Sequence, residues 1–257
     1  MMVSFELNEE EFKILEDLTN DELIALSKFK DFPICKDIKD QYLLLFLFSK
    51  KFDLEKAHTL IKNNLLIREK LEISLPVVKN QVNPELAMKS SSFNIIGYRD
   101  NNGCSISYLH PSKAKPKDFT LKEYMTFLLW SQDQSAHDHS SVHRNGMTII
   151  EDLHKISIFK HFDSRLQDFL KKNKLNDMQD VFIGRIQKIY ILNPPWVLKP
   201  LLSLAKTFMK NKLISRIEIC KNDQIFTTID QSKVLFEYGG TLNLTYIDYF
   251  NSLPSNF

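Results

Sequence analysis

Glycine is scarce in this chain: six in 257 residues, at positions 97, 103, 146, 184, 239 and 240. No arrangement of them gives G-x-G-x-x-G or G-x-x-x-x-G-K, so the backbone cradles for dinucleotides and nucleotide phosphates are missing. A G-x-S-x-G nucleophile turn is missing too. The three cysteines, Cys35, Cys104 and Cys220, are odd in number and far apart. They make neither a disulfide framework nor a C-x-x-C metal knuckle. Long apolar runs are also lacking. The greasiest stretch, Tyr42 to Phe48, is far short of the roughly 20 residues that span a bilayer. The opening Met-Met-Val-Ser-Phe-Glu-Leu-Asn-Glu-Glu-Glu has no basic region and no apolar core, so no secretory signal is expected. Charge of one sign is not in excess: 34 Lys plus Arg face 32 Asp plus Glu, a formal charge of +2. That balance speaks against nucleic acid as a partner and leaves room for a local basic patch. A reduced, cytosolic, soluble protein is the expectation.

What is present is ordinary globular composition, 43% hydrophobic and 26% charged, with 19 phenylalanines to fill an interior or line a pocket. The length allows one large domain or two small ones. The first eighty residues read as helices, with starts at Asn8 with Glu11, Thr19 with Glu22, and Asp53 ahead of Leu54, Ala57, Leu60, Ile61 and Leu65. Two prolines between Leu75 and Pro84 mark a boundary, predicting a helical domain over 1–80 and a second domain over 81–257. In the second, Phe93 to Arg99 and Cys104 to His110 are β-prone runs joined by Asp100-Asn101-Asn102-Gly103, a hairpin signal. Thr120 and Glu123 form a capping box ahead of a helix. Met147 to Leu153, Ile186 to Leu192 and Arg216 to Cys220 read as strands separated by helical stretches, around Arg165 to Lys172 and Pro195 to Lys212. Alternation of this kind implies an α/β fold with a mostly parallel sheet.

One helix is apolar nearly all round. After Asn193 and Pro194-Pro195 come Leu198, Leu201, Leu204, Ala205 and Phe208 on one face, with Trp196, Val197 and Leu202 off it. Such breadth means burial on several sides, or a lid with one face on a pocket and another toward membrane. Lys199, Lys206 and Lys210 fit the lid better than a core helix.

At this point the chain resembles the CRAL-TRIO lipid-binding family, closest to its tocopherol-transfer and retinaldehyde-binding branch. The resemblance runs over roughly 35–250. It rests on Asp53-Leu-Glu-Lys-Ala57 with Arg68, Asn145-Gly146 leading to Asp152-Leu153, the Asn193 to Ile219 helix region, and Glu237-Tyr238-Gly239-Gly240. It implies a helical domain before an α/β domain whose sheet floors an apolar pocket closed by a gate helix. Met147, Ile149 and Glu151 would look into that pocket, with Ile189 and Ile191 on the neighbouring strand. Tyr108, Phe127 and Ser131 would lie near the ligand's polar end, and Leu198, Leu201, Leu204, Ala205 and Phe208 would close the top. Arg68, Arg185, Lys212 and Arg216 would bind phosphoinositide phosphates.

Some positions depart from the family pattern. Gln187 stands where the branch often has a cation, and Gly184 replaces the Glu of the phosphatidylinositol-exchanging branch. Glu151 occupies a usually apolar position, where a carboxylate must pair, stay wet at the strand end or read a polar ligand group; the wet strand end is the expectation. His137, His139 and His143 could meet a zinc ion, yet they sit in a polar stretch with Ser140 and Ser141 that reads as a solvated loop. The function implied is a non-enzymatic carrier without cofactor. It would hold one hydrophobic molecule and exchange it at phosphoinositide-containing membranes. The alternative is an adaptor that docks on membranes or proteins and carries no cargo.

Overall fold

Local side-chain chemistry starts the helices where the sequence places them. The computed structural model describes residues 12–86, 93–113, 115–161, 164–175, 178–196, 198 and 214–255. The Asn8 start lies outside them. Thr19 caps α1 (Asn20–Lys30): its hydroxyl accepts the Glu22 N–H at 3.3 Å, and Glu22 accepts the Thr19 N–H at 2.9 Å. Asp53 caps α3 (Leu54–Leu71) by accepting the Lys56 N–H at 3.1 Å. Between them α2 (Asp40–Ser49) buries every residue from Gln41 to Phe48. The greasy run is therefore a core helix, packed on several sides, as all-round apolarity requires.

The sheet has five strands in sequential order: β1 (Phe93–Arg99), β2 (Ser105–Leu109), β3 (Met147–Asp152), β4 (Ile186–Leu192) and β5 (Ile217–Ile219). β1 and β2 are antiparallel; all other pairs are parallel. The hairpin turn is held by Asp100, whose Oδ1 accepts the Asn102 and Cys104 N–H groups at 2.8 and 2.9 Å. Its Oδ2 accepts the Thr148 hydroxyl at 2.7 Å, which ties the turn to β3. A second capping box, Thr120 with Glu123, opens α4 (Leu121–Asp133), and α5 (Ser140–Asn145) follows before β3. α6 (Arg165–Lys172) lies between β3 and β4, and α7 (Tyr246–Ser252) is near the C-terminus. This is the expected order of helices followed by a mostly parallel sheet.

Apolar side chains gather in two clusters. One joins Ile14, α1, α2 and the first half of α3, with Ala136; the other takes in the sheet, α4, α6 and α7. α3 serves both, with Ala57, Leu60 and Ile61 in the first and Ile67 in the second. Arg68, expected to bind phosphoinositide phosphates, instead sits buried at that seam, 2% exposed, with its guanidinium out of reach of a headgroup. Its guanidinium donates to Asp133 Oδ1 at 2.7 Å, to Asn64 Oδ1 at 2.7 Å and to the Ser74 carbonyl. Asp133 Oδ2 accepts the Val77 N–H at 2.8 Å, and Asn64 donates to the Val181 carbonyl at 2.9 Å. The family motif residue Arg68 thus clamps α3, α4 and the 74–77 segment.

Two family glycines are explained by close approach. A Cβ on Gly146, at φ 93°, would stand 2.3 Å from the Arg185 carbonyl oxygen, where β3 meets β4. One on Gly240 would stand 1.9 Å from the Val234 carbonyl oxygen. Only glycine lets the backbones pass so closely.

Candidate functional site

A cavity of about 330 Å³ opens between one face of the sheet and the helices. Period-2 alternation decides which side chains reach it. Asn94 and Ile96 of β1, Ser105 and Ser107 of β2, and Met147 and Ile149 of β3 line the floor. Leu128 and Ser131 of α4, Val142 and His143 of α5, and Leu45 and Phe48 of α2 line the walls. Parallel register places Ile189 beside Ile149 and Ile191 beside Glu151. Those three share the floor's face farther along the strands.

Met147, Ile149 and Ser131 stand in the cavity wall as the resemblance implies. Tyr108 and Phe127 do not, and Glu151, Ile189 and Ile191, though on the same face of the sheet, are not among its lining residues. Tyr108 is on the opposite face of β2, because Ser105 and Ser107 take the cavity side. It is buried against Tyr238, with ring centroids 5.2 Å apart, and its hydroxyl donates to the Lys233 carbonyl at 2.9 Å. Phe127 lies around α4 from Leu128 and Ser131; it packs in the core by Trp130, which meets Phe250 edge-on at 5.4 Å. Leu198, the first of the expected gate residues, has its N–H donating to the Pro195 carbonyl at 2.9 Å. Leu201, Leu204, Ala205, Phe208 and Lys212 lie outside the described residues. Trp196, just before them, is 87% exposed.

Glu151 is not among the cavity-lining residues. The residue is half-buried, and desolvation raises its carboxyl above the usual carboxylate range. The histidine segment is not a solvated loop. His137 is buried and stacks on Phe12 at 4.4 Å, and His139 Nδ1 lies 2.9 Å from the Ser141 hydroxyl. His143 Nε2 meets the Ser135 carbonyl at 2.9 Å, and burial lowers its pKa. No group of three or more His, Cys, Asp or Glu among the described residues is placed to hold a metal ion.

At the cavity's edge Arg185 donates to the Arg144 carbonyl at 2.5 Å. Burial first, and then the charge of Arg216, lowers its pKa, so the two cations feel each other. Nearby cations are neutralised: Lys188 by Glu218 at 2.5 Å, and Arg144 by Glu22 at 2.8 Å. Among the described residues neither Arg185 nor Arg216 joins a salt bridge. Gln187, in place of a family cation, donates to the Asn145 carbonyl at 2.8 Å.

Comparison with known proteins agrees with this geometry. The CRAL/TRIO domain model matches residues 89–240, more than half of the chain. The chain belongs to the CRAL/TRIO domain family. Alpha-tocopherol transfer protein-like from Homo sapiens is 27% identical over 225 residues, covering 82% of this chain and 62% of that relative. Clavesin-1 from Rattus norvegicus is 25% identical over 209 residues, covering 79% of this chain and 57% of the relative. This chain therefore spans about three fifths of the length of these relatives. A solved structure titled "Crystal structure of Sfh5" aligns with a TM-score of 0.47 and 12% identity, covering 85% of this chain and 79% of that one.

Several of the residues that carry the resemblance make structural contacts. Asp152 accepts the Asn193 side-chain amide at 2.9 Å, which joins two motif segments at the strand ends. Asn145 donates to the Gly103 carbonyl at 3.2 Å. The cavity walls from α2 and from residues 134–143 escaped the sequence reading, since no local pattern says that a distant helix closes over a sheet.

Proposed function

We propose that this CRAL/TRIO chain takes up one hydrophobic molecule in the cavity and exchanges it between membranes. The observation that carries the reading is the cavity itself, of a size within the range of small-molecule sites, with Leu45, Phe48, Ile96, Leu128, Met147 and Ile149 in its wall. Apolar walls favour an apolar guest by about 25 cal/mol per Å² removed from water. The names of the relatives, tocopherol transfer among them, support a carrier role.

In this reading the helical domain over 1–80 braces the lipid-binding domain over 81–257, and the Leu198 to Phe208 segment is the gate. Arg185 and Arg216, with Lys212, form the membrane-docking cations, and a phosphoinositide headgroup supplies the phosphates. Neutralised neighbours, and the lack of a carboxylate partner for Arg185 and Arg216 among the described residues, support that choice of cations. Arg68 is not one of them. Glu151, held toward its neutral form, offers a polar contact beside Ile191.

Mass spectrometry of lipid extracted from the purified chain, followed by transfer between donor and acceptor vesicles, tests the proposal. One bound lipid species per chain and protein-dependent transfer are expected. Met147→Trp should fill the cavity and abolish both while the fold is kept. A chain that binds phosphoinositide vesicles yet neither carries nor transfers lipid would instead be a docking adaptor.

A further inference from the structure

Buried polar groups are nearly always hydrogen-bonded, so one that is not calls for an explanation. His110, the residue after β2, is 8% exposed, and its Nδ1 has no hydrogen-bond partner. That nitrogen faces Oδ2 of Asp152, the last residue of β3, at 3.8 Å. The gap is within ion-pair range and too long for a hydrogen bond. The other oxygen of Asp152 is taken. Oδ1 accepts the Asn193 side-chain amide at 2.9 Å and the His154 N–H at 2.8 Å. Asn193 is the residue that leaves β4, and its φ of 47° lies in the left-handed region. Asparagine rests there when its side chain is held by a hydrogen bond. Pro194, Pro195 and the exposed Trp196 follow it. One carboxylate thus stands between a titratable ring and the segment that leaves the fourth strand.

We propose that His110 and Asp152 form an acid-sensitive latch on the 193–196 segment: a proton on His110 draws the carboxylate away from Asn193 and frees the segment. The latch needs no cargo, so it is independent of the carrier reading. Burial, first, keeps the closed-state imidazole neutral, and the Lys113 ammonium adds to this; Asp152, Glu237 and the His154 backbone oppose it. Lys113 and Glu237 are paired at 2.5 Å, so their fields largely cancel and Asp152 is the charge that remains. Tyr238, tilted against the ring at 6.5 Å, is held neutral by burial. Once protonated, Nδ1–H donates to Oδ2, and a charge-assisted bond of this kind closes to about 2.7–2.9 Å. Neither backbone can make up the difference. Asp152 and Leu153 are paired with Leu192, and the His110 carbonyl accepts the Lys113 N–H at 3.1 Å. The carboxylate turns instead, and Oδ1 leaves the Asn193 amide. The freed form binds the proton more tightly than the latched form, so acid favours release.

The test places a nitroxide on the full chain through Trp196→Cys, where exposure leaves the label room; Cys35, Cys104 and Cys220 are buried. The spectral line shape reads how firmly the segment is held. From pH 7.5 to 5.5 the mobile-to-held ratio should rise, with a slope approaching about tenfold per pH unit, the limit for one proton. His110→Gln should remove the rise. His143→Gln and His154→Gln should keep it, which separates the latch from any general loss of stability in acid. Asn193→Gly suits the left-handed backbone and removes the amide, so its label should be mobile at both pH values. In the unlabelled chain, the Asn193 side-chain amide signals should shift in step with the His110 ring signals in an NMR titration. A label held equally at both pH values in the parent would overturn the latch. So would a rise that survives His110→Gln, an Asn193→Gly label that stays held at pH 7.5, or Asn193 signals that ignore the His110 titration. A working latch on a chain that neither carries nor transfers lipid would count against the carrier reading alone.

Discussion

Two arginines that the family resemblance places in one phosphate-binding set live in opposite surroundings. Arg68 is buried at the seam of α3 and α4, with its hydrogen bonds met by Asp133, Asn64 and the Ser74 carbonyl. Arg185 lies half-buried just before β4, near Arg216 and without a carboxylate partner among the described residues. The same side chain is a structural clamp in one place and, among the described residues, a cation without a carboxylate in the other. What separates them is desolvation. A guanidinium taken out of water must be paired, whereas one left at the surface keeps its field for a partner that arrives later.

The largest effect should come from breaking the clamp. Arg68→Ala leaves Asp133 as a buried unpaired carboxylate and should cost about 3–5 kcal/mol, measured by urea unfolding. Arg185→Glu in the same assay should cost far less. If Arg68→Ala proved harmless to stability and instead lost vesicle binding, the two arginines would have exchanged roles.

Reversing the free charges should move a different readout. Arg185→Glu with Arg216→Glu should weaken binding to phosphoinositide vesicles by about 2 kcal/mol, roughly thirtyfold, at about 1 kcal/mol per cation. The loss should shrink as salt rises, since screening acts over about 10 Å at 0.1 M. Equal sedimentation of parent and variant with such vesicles at low salt would reject the docking patch.

Acid should weaken the wall around His143 before it touches the surface pair. Burial holds the folded-state pKa of His143 below the ordinary 6.5, and His110 is lowered for the same reason. As pH falls through 6.5 the unfolded chain takes up protons that the folded chain refuses, so stability is present above that value and lost below it. The slope is about 1.4 kcal/mol per pH unit for each such proton. Glu151 acts with the opposite sign, because its raised folded-state pKa relieves the fold as acid is added. Melting temperature should therefore fall from pH 7.5 to 5.5, and His143→Gln should flatten the fall. A curve of unchanged slope in that variant would remove His143 from the account.

The smallest effect belongs to the helix starts. Thr120→Ala removes the hydroxyl that accepts the Glu123 N–H at 3.1 Å and should cost about 1 kcal/mol in chemical denaturation. Vesicle binding should not change.

Local chemistry was legible in the sequence. The capping boxes at Thr19 and Thr120 and the Asp100 to Gly103 turn depend on neighbours within a few residues, and the runs that became β1 to β5 show as β-prone stretches. The caps and the turn form from local contacts, whereas the pairing of the parallel strands waits for distant parts of the chain to meet. The family resemblance added Met147, Ile149 and Ser131 to the cavity by pattern. It misplaced Tyr108 and Phe127 because one step along β2, or one part of a turn around α4, carries a side chain from the cavity to the core.

Tertiary structure decided the rest. Whether Arg68 is a clamp or a contact depends on Asp133, which is 65 residues away and reaches it only when α4 lies across α3. Whether Glu151 is wet or desolvated depends on what covers the far end of β3. Charge and hydrogen-bonding capacity are written residue by residue. The cost of leaving them unmet is set by burial, and burial is a property of the packed whole.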